Sequence, residues 1–415
     1  MTDADRFADL LRTCAARSVP AMLDELATSL AARRRWHGLF DTRIIQARVA
    51  IGLPPVGTPG DIPLAVRDAF DERSLAACRE AGWPLIDEGQ VAAGWMYLRA
   101  AVEPPEIATR LAAIARPLLT AAHQDEEADR VLQEILGVVL WDAADPALGI
   151  EIVLATQGTC NAITAFEQAV SRLPASRQRT AAGVLVARLH ADLCANLTAD
   201  IESRGITAPS PVTLGGLLAA LGSTDVGLFV DVSHLQSVLR IARVCEDEPT
   251  VRRSYELADY ACRLPDDLVY PGEPPFENVG EASRLFYGSQ LGVDVDRAIR
   301  FFRAAAATAE PEAGLLPQDV LVLLLSRLGR PAEALHAAVA RPRDERSMPS
   351  PLQASAALPT LVDLAATSGE WELLRRVCRD RGDEITFAAT LAAECQKSQG
   401  NCGPQGLHRP QGAER

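Results

Sequence analysis

The sequence predicts an all-α protein built from antiparallel helix hairpins. Apolar residues recur at i, i+3, i+4 and i+7 in segment after segment, and short Gly-containing breaks separate the segments. Aromatic content is only 5% while alanine is abundant. Small side chains suit close helix packing more than a sheet sandwich, and strand-like alternation is scarce.

In order along the chain, helical patterns fill residues 5–50, and a loop rich in Pro54, Pro55, Pro59 and Pro63 interrupts them at 52–63. Helices resume over 64–101, 107–122, 126–141, 147–155, 161–173 and 176–203, with Pro104, Pro117, Pro146 and Pro174 near first turns. The segment 204–216 carries Pro209, Pro211, Gly205, Gly215 and Gly216, so it is expected to divide the chain into a helical domain 1–205 and a second helical domain 206–396. Helices follow at 217–221, 233–246, 250–263 and 278–291, with Ser233 and Gln236 spaced as a capping box. The last series runs 294–309, 319–328, 331–340 and 371–379; in its first member Val295, Ala298, Ile299 and Phe302 share one face. Residues 397–415 are Gln, Gly and Pro with little apolar content, so a disordered tail is expected there.

Two stretches carry a small-then-aromatic spacing followed by proline: Ala93, Tyr97 and Ala100 before Pro105, and Ala298, Phe302 and Ala305 before Pro311. Leu328-Gly329-Arg330-Pro331-Ala332-Glu333-Ala334 and Gly369-Glu370-Trp371 read as turns into second helices. On these residues the chain resembles tetratricopeptide-like repeats, chiefly over 281–394 and more faintly over 79–105. Gly292, Gly329 and Gly369 lie 37 and 40 residues apart, near the family period, whereas its first-helix Trp and Leu-Gly are missing because Phe286 follows Leu285. Over most of its length the chain also resembles bacterial helical proteins that have no assigned activity. The resemblance implies an α/α superhelix that binds protein partners along a concave face.

Forty-one basic against fifty-five acidic residues give a net charge of -14, which repels phosphate backbones and anionic lipid, so neither nucleic acid nor membrane is an expected partner. Nearly all the basic residues are arginine, as a GC-rich bacterial coding sequence would impose. Lys397, the single lysine, offers no setting for a Schiff base. The nine cysteines contain no C-x-x-C pair and fit reduced thiols in a cytoplasmic protein. No signal-peptide pattern is evident over residues 1–18, and the densest apolar run, 320–325, is far shorter than a bilayer span.

Phosphate-cradling, zinc-protease and nucleophile-elbow motifs are missing, and no cofactor or metal is expected. His190, Asp192, Asp231 and His234 would suit an acid–base pair or a divalent ion if the fold gathered them, although His190 and Asp192 point about 200° apart on one helix. The plainer expectation is a partly buried His190, with Asp231 and Ser233 as caps. Cys160, after Gly158-Thr159, is a thiol in a first helical turn, where the positive helix end favours a nucleophile; an ordinary helix restart capped by Thr159 or Asn161 is the plainer expectation. Tyr270, Glu273 and Phe276 flank or occupy a stiff proline-rich loop that suits partner docking and equally suits an extended crossing held by prolines over the helix ends. The five tryptophans read as core fillers and Arg33-Arg34-Arg35 as a solvated helix face. The expected function is a non-enzymatic scaffold or adaptor for protein partners. Two alternatives stand beside it: an enzyme with a pocket around His190, His234 and nearby Asp or Cys160, and a helical sensor binding a small ligand.

Overall fold

The structure, a computed structural model, describes residues 3–120, 126–222, 227–272, 274–308, 313–340, 350, 352 and 356–400. Among them are nineteen α-helices and no strand, so the protein is all-α. The chain forms two compact units, 1–156 and 157–415. The division falls well before the expected boundary at 205/206. The Pro- and Gly-rich segment expected to separate domains instead turns the chain within the second unit, because the helix after it folds back onto the helix before it.

The first unit opens with α1 (Asp3–Ala16), α2 (Val19–Ala32) and α3 (Trp36–Ala50), each packed on the next. Ser18 caps α2 by accepting the Ala21 N–H at 3.3 Å. The three arginines expected on a helix face form the α2–α3 turn, and Arg34 takes a left-handed φ of 53°. After the proline loop, α4 (Leu64–Asp87) pairs with α3 through a two-bond Arg43–Glu80 fork, both bonds 2.7 Å. It then turns back into α5 (Val91–Leu98). Gly82 and Gly94 sit at that crossing: a Cβ on Gly94 would lie 2.8 Å from the Gly82 carbonyl oxygen. Gly94 is buried at the crossing, Ala93 packs half-buried against Ala81, Leu85 and Tyr97, and Ala100 is exposed beyond the helix end. Next come α6 (Pro104–Thr120), α7 (Glu126–Leu136) and a π turn, Gly137–Trp141, whose Trp141 is exposed instead of filling the core. The Trp95 indole donates to Asp142 at 2.8 Å. Helix α8 (Pro146–Ala165) crosses the division and kinks at Gly158, where φ is 83° and ψ 178°.

In the second unit α9 (Ala175–Ser203) is the spine. Its buried stripe includes Ala181, Ala182, Leu185, Val186, Leu189, Leu193, Leu197 and Ile201, the i, i+4 and i, i+3 spacing of a core-facing helix. Against it pack α10 (Leu214–Leu221), α11 (Val232–Ile241) and α12 (Glu248–Ala261). Asp231, not Ser233, caps α11, accepting the His234 N–H at 3.1 Å. Gln236 donates to the Tyr270 carbonyl at 2.6 Å and so closes no capping box.

The remainder is a succession in which each helix packs mainly on its sequence neighbours: α13 (Val279–Gln290), α14 (Val295–Thr308), α15 (Leu316–Arg327), α16 (Pro331–Val339), α17 (Leu361–Ser368), α18 (Trp371–Arg381) and α19 (Glu384–Gly400). Helix α19 runs through Lys397 to Gly400, four residues into the expected tail; 401–415 lie outside the described residues. The α15–α16 turn shows how hairpins close. Gly329 at φ 68° donates to Ser326 O at 3.1 Å, and Arg330 donates to Leu325 O at 2.9 Å, which satisfies two terminal carbonyls of α15. The same two-bond pattern closes α13 at Gly292 and α4 at Gly89. After these turns the next helix buries a pair four residues apart: Gly94 with Leu98, Ala298 with Phe302, and Ala334 with Ala338. After Gly369 the corresponding pair is Leu374 with Cys378. Ala305 is buried one turn beyond Phe302, as its spacing predicts.

Candidate functional site

The best-defined polar cluster lies where α9 meets α12. His190 and Cys194 are one turn apart on α9 and project to the same side. Neighbouring Leu189 and Leu193 turn into the core, which leaves this pair at the flank of the buried stripe, partly buried. Glu256 comes from α12, where the flanking Leu257 and Ala258 are buried. Its Oε2 sits 2.6 Å from His190 Nε2, and His190 Nδ1 lies 3.9 Å from Cys194 Sγ.

The electrostatics follow from this geometry. His190 is pushed up to about 9, first by its contact with Cys194 and then by Glu256, against a smaller opposing effect of burial. When both ring nitrogens carry protons, Nε2–H donates to the carboxylate and Nδ1–H points at the sulfur. A sulfur, an imidazole and a carboxylate are the residue types from which a thiol site draws its nucleophile, proton carrier and orienting group. Elsewhere burial foremost, with the Asp247 carboxylate adding to it, pushes the Cys245 thiol up to about 12.

The other candidates are dispersed. Asp192 forms an ion pair with Arg188 at 2.9 Å, one turn back on α9. Asp231 serves as the α11 cap, accepts from the Ser233 hydroxyl at 2.5 Å and is held below the ordinary carboxylate range by those bonds, that from Ser233 foremost. Among the described residues no hydrogen bond or ion pair joins His190 to His234 or Asp231, and no group of three His, Cys, Asp or Glu suits a metal ion. Cys160 is exposed just after the Gly158 kink, where the Asn161 side chain donates to Gln157 O at 3.0 Å.

Of the three loop residues, Tyr270 is 65% exposed. Phe276 is buried in the core, 5.7 Å from the Phe302 ring and beneath the Arg243 guanidinium at 5.5 Å, so it anchors the loop and offers no docking surface. Glu273 lies outside the described residues. Tyr270 borders an open cavity of about 720 Å³ lined by Leu228, Phe229, Val230, Asp231, Asp267 and Leu268, among others. Leu228, 53% exposed, stands with it as a second apolar projection.

The first unit holds a groove of about 500 Å³ between α2, α3 and α4, edged by Asp24, Arg43, Arg73 and Glu80. In the same unit, His37 Nδ1 bonds the Tyr97 hydroxyl at 2.7 Å, with the Phe40 ring tilted against the Tyr97 ring at 4.7 Å between centroids. No described helix is long and apolar enough to cross a membrane. No protein-family model, curated protein or solved structure matches the chain.

Proposed function

We propose that this protein is a cytoplasmic, bacterial helical-repeat scaffold of tetratricopeptide-like type that binds partner proteins and performs no chemistry in doing so. The recurrent helix–glycine turn–helix unit carries this reading: turns at Gly89, Gly292 and Gly329 each lead into a helix that buries a pair four residues apart. A structure made by repeating one hairpin leaves an extended surface of helix flanks and loops, the ground on which such proteins recognise others. The net charge of -14 supports a protein partner over nucleic acid.

The contact region is the cavity edged by Leu228 and Tyr270, whose lining combines apolar side chains with Asp231 and Asp267. Apolar projections beside carboxylates suit a partner segment with an aliphatic or aromatic anchor next to arginine or lysine. The test is affinity capture with the intact chain and with a Leu228→Glu, Tyr270→Glu double variant shown by circular dichroism to be folded. Loss of specific captured proteins with the variant supports this assignment. Identical captures overturn it.

A further inference from the structure

We propose that Cys194, with His190 and Glu256, forms a reactive-thiol site that small hydroperoxides oxidise to a sulfenic acid. Glu256 Oε2 holds His190 Nε2 at 2.6 Å, and this fixes the ring so that Nδ1 faces Cys194 Sγ at 3.9 Å. The two ring contacts come from different helices, so the ring is held from α12 and aimed along α9. A proton on Nδ1 and a negative charge on sulfur attract each other, and a sulfur so paired is the nucleophilic form of cysteine.

The surroundings select the class of electrophile. Cys194 sits inside the uninterrupted helix Ala175–Ser203, whose interior backbone N–H groups are consumed by helical bonding. No amides are left to stabilise the oxyanion that an acyl substrate would form. A hydroperoxide demands less: a thiolate, and a proton for the departing oxygen. The Cys194 sulfur attacks the terminal oxygen of R–O–O–H. The S–O bond forms as the O–O bond breaks, and the departing alkoxide takes the Nδ1 proton of His190 to leave as ROH. Sulfur is oxidised by two electrons, the peroxide is reduced by the same two, and Cys194 keeps the transferred OH. His190 and Glu256 act as positioning residues for that transfer.

The full chain is treated with substoichiometric hydrogen peroxide in the presence of dimedone, and separately with iodoacetamide from pH 5.5 to 9; each cysteine is quantified by peptide mass spectrometry. Exposed Cys160 and Cys395 serve as references within the same molecule. At pH 6.5 Cys194 should be modified about tenfold faster than either, as a thiol paired with an imidazolium requires. His190→Gln should reduce it to the reference rate while Cys160 is unchanged. Glu256→Gln should shift the pH profile of Cys194 without abolishing its reactivity, an effect that loss of packing alone does not produce. Cys194 labelling no faster than Cys160 in the native chain overturns the proposal. So does a folded His190→Gln variant whose Cys194 rate and pH profile match the native ones.

Discussion

Gly94→Ala is expected to destabilise the first unit although alanine is the better helix former. Gly94 lies inside α5, where Gly→Ala gains about 1 kcal/mol of helix propensity. Against this, the new Cβ would lie 2.8 Å from the Gly82 carbonyl oxygen and 2.8 Å from Ile86 Cδ1. A side chain can rotate away; a helix carbonyl cannot, so α4 and α5 must move apart. That separation loosens Leu85, Ile86 and Leu98, each at most 1% exposed. Overpacking of this kind costs about 3 kcal/mol at its upper end, which leaves a net loss of about 2 kcal/mol and a Tm lower by ~4–8 °C for a unit of this size. Gly183→Ala is the contrast, since on α9 the nearest atom to the new Cβ is Thr250 Oγ1 at 3.6 Å. There the propensity gain stands alone, and the second unit should gain up to about 1 kcal/mol. Urea unfolding followed by circular dichroism measures both. A Gly94→Ala protein as stable as the native one would refute the close crossing of α4 and α5, and with it the packing logic of the hairpin.

Three further outcomes follow from the structure. His190 is raised above its ordinary 6.5 to about 9, so its contribution to stability is complete below pH 6.5 and disappears as pH rises through 9. With side-chain exposures of 18% and 31% for His190 and Glu256, solvent screening reduces the full linkage to about 1 kcal/mol. Glu256→Gln should flatten this decline in urea midpoints taken at pH 6 and pH 9.5, and an unchanged slope would refute the pairing. Phe302→Ala, at a fully buried repeat position, should cost ~3–5 kcal/mol by the same unfolding measurement, whereas Tyr270→Ala, at an exposed one, should stay within about 0.5 kcal/mol. Asp231→Ala should cost about 1 kcal/mol because it removes the α11 cap; a larger loss from Ser233→Ala would return the cap to Ser233.

The hairpins were legible because helical period and turn chemistry are both local. The stripe Val295, Ala298, Ile299, Phe302 is written in the sequence, and Gly329 marks a left-handed C-cap wherever a helix stops. Composition misled at 204–216, since proline and glycine report that the chain turns and carry no information about whether the flanking helices then pack together. The division at 156/157 adjoins Gly158, whose positive φ splits α8 inside the break that the sequence places between helices 147–155 and 161–173; the polar Thr156, Gln157, Thr159 and Asn161 announce a kink and not a division into units. Residues 401–415 and Glu273, expected as tail and contact, lie outside the described residues.

The thiol cluster divides along the same line. Half of it is local: His190 and Cys194 are four residues apart on a helix the sequence predicts, a spacing that places both on one face, whereas His190 and Asp192 diverge. A search for His with a carboxylate two residues on therefore finds a pair that the helix separates. A search at four finds the sulfur. The other half is not local, because Glu256 reaches His190 from 66 residues away, on a helix α12 that packs against α9 and buries the adjoining Leu257 and Ala258. Packing of aliphatic stripes thus decides which carboxylate meets the imidazole. For that reason Leu257→Ala, which touches none of the three polar groups by charge, should loosen the His190–Glu256 contact as well as destabilise the second unit by ~2–5 kcal/mol. A Leu257→Ala protein that loses this stability yet keeps the native pH slope would show that the imidazole is aimed by α9 alone.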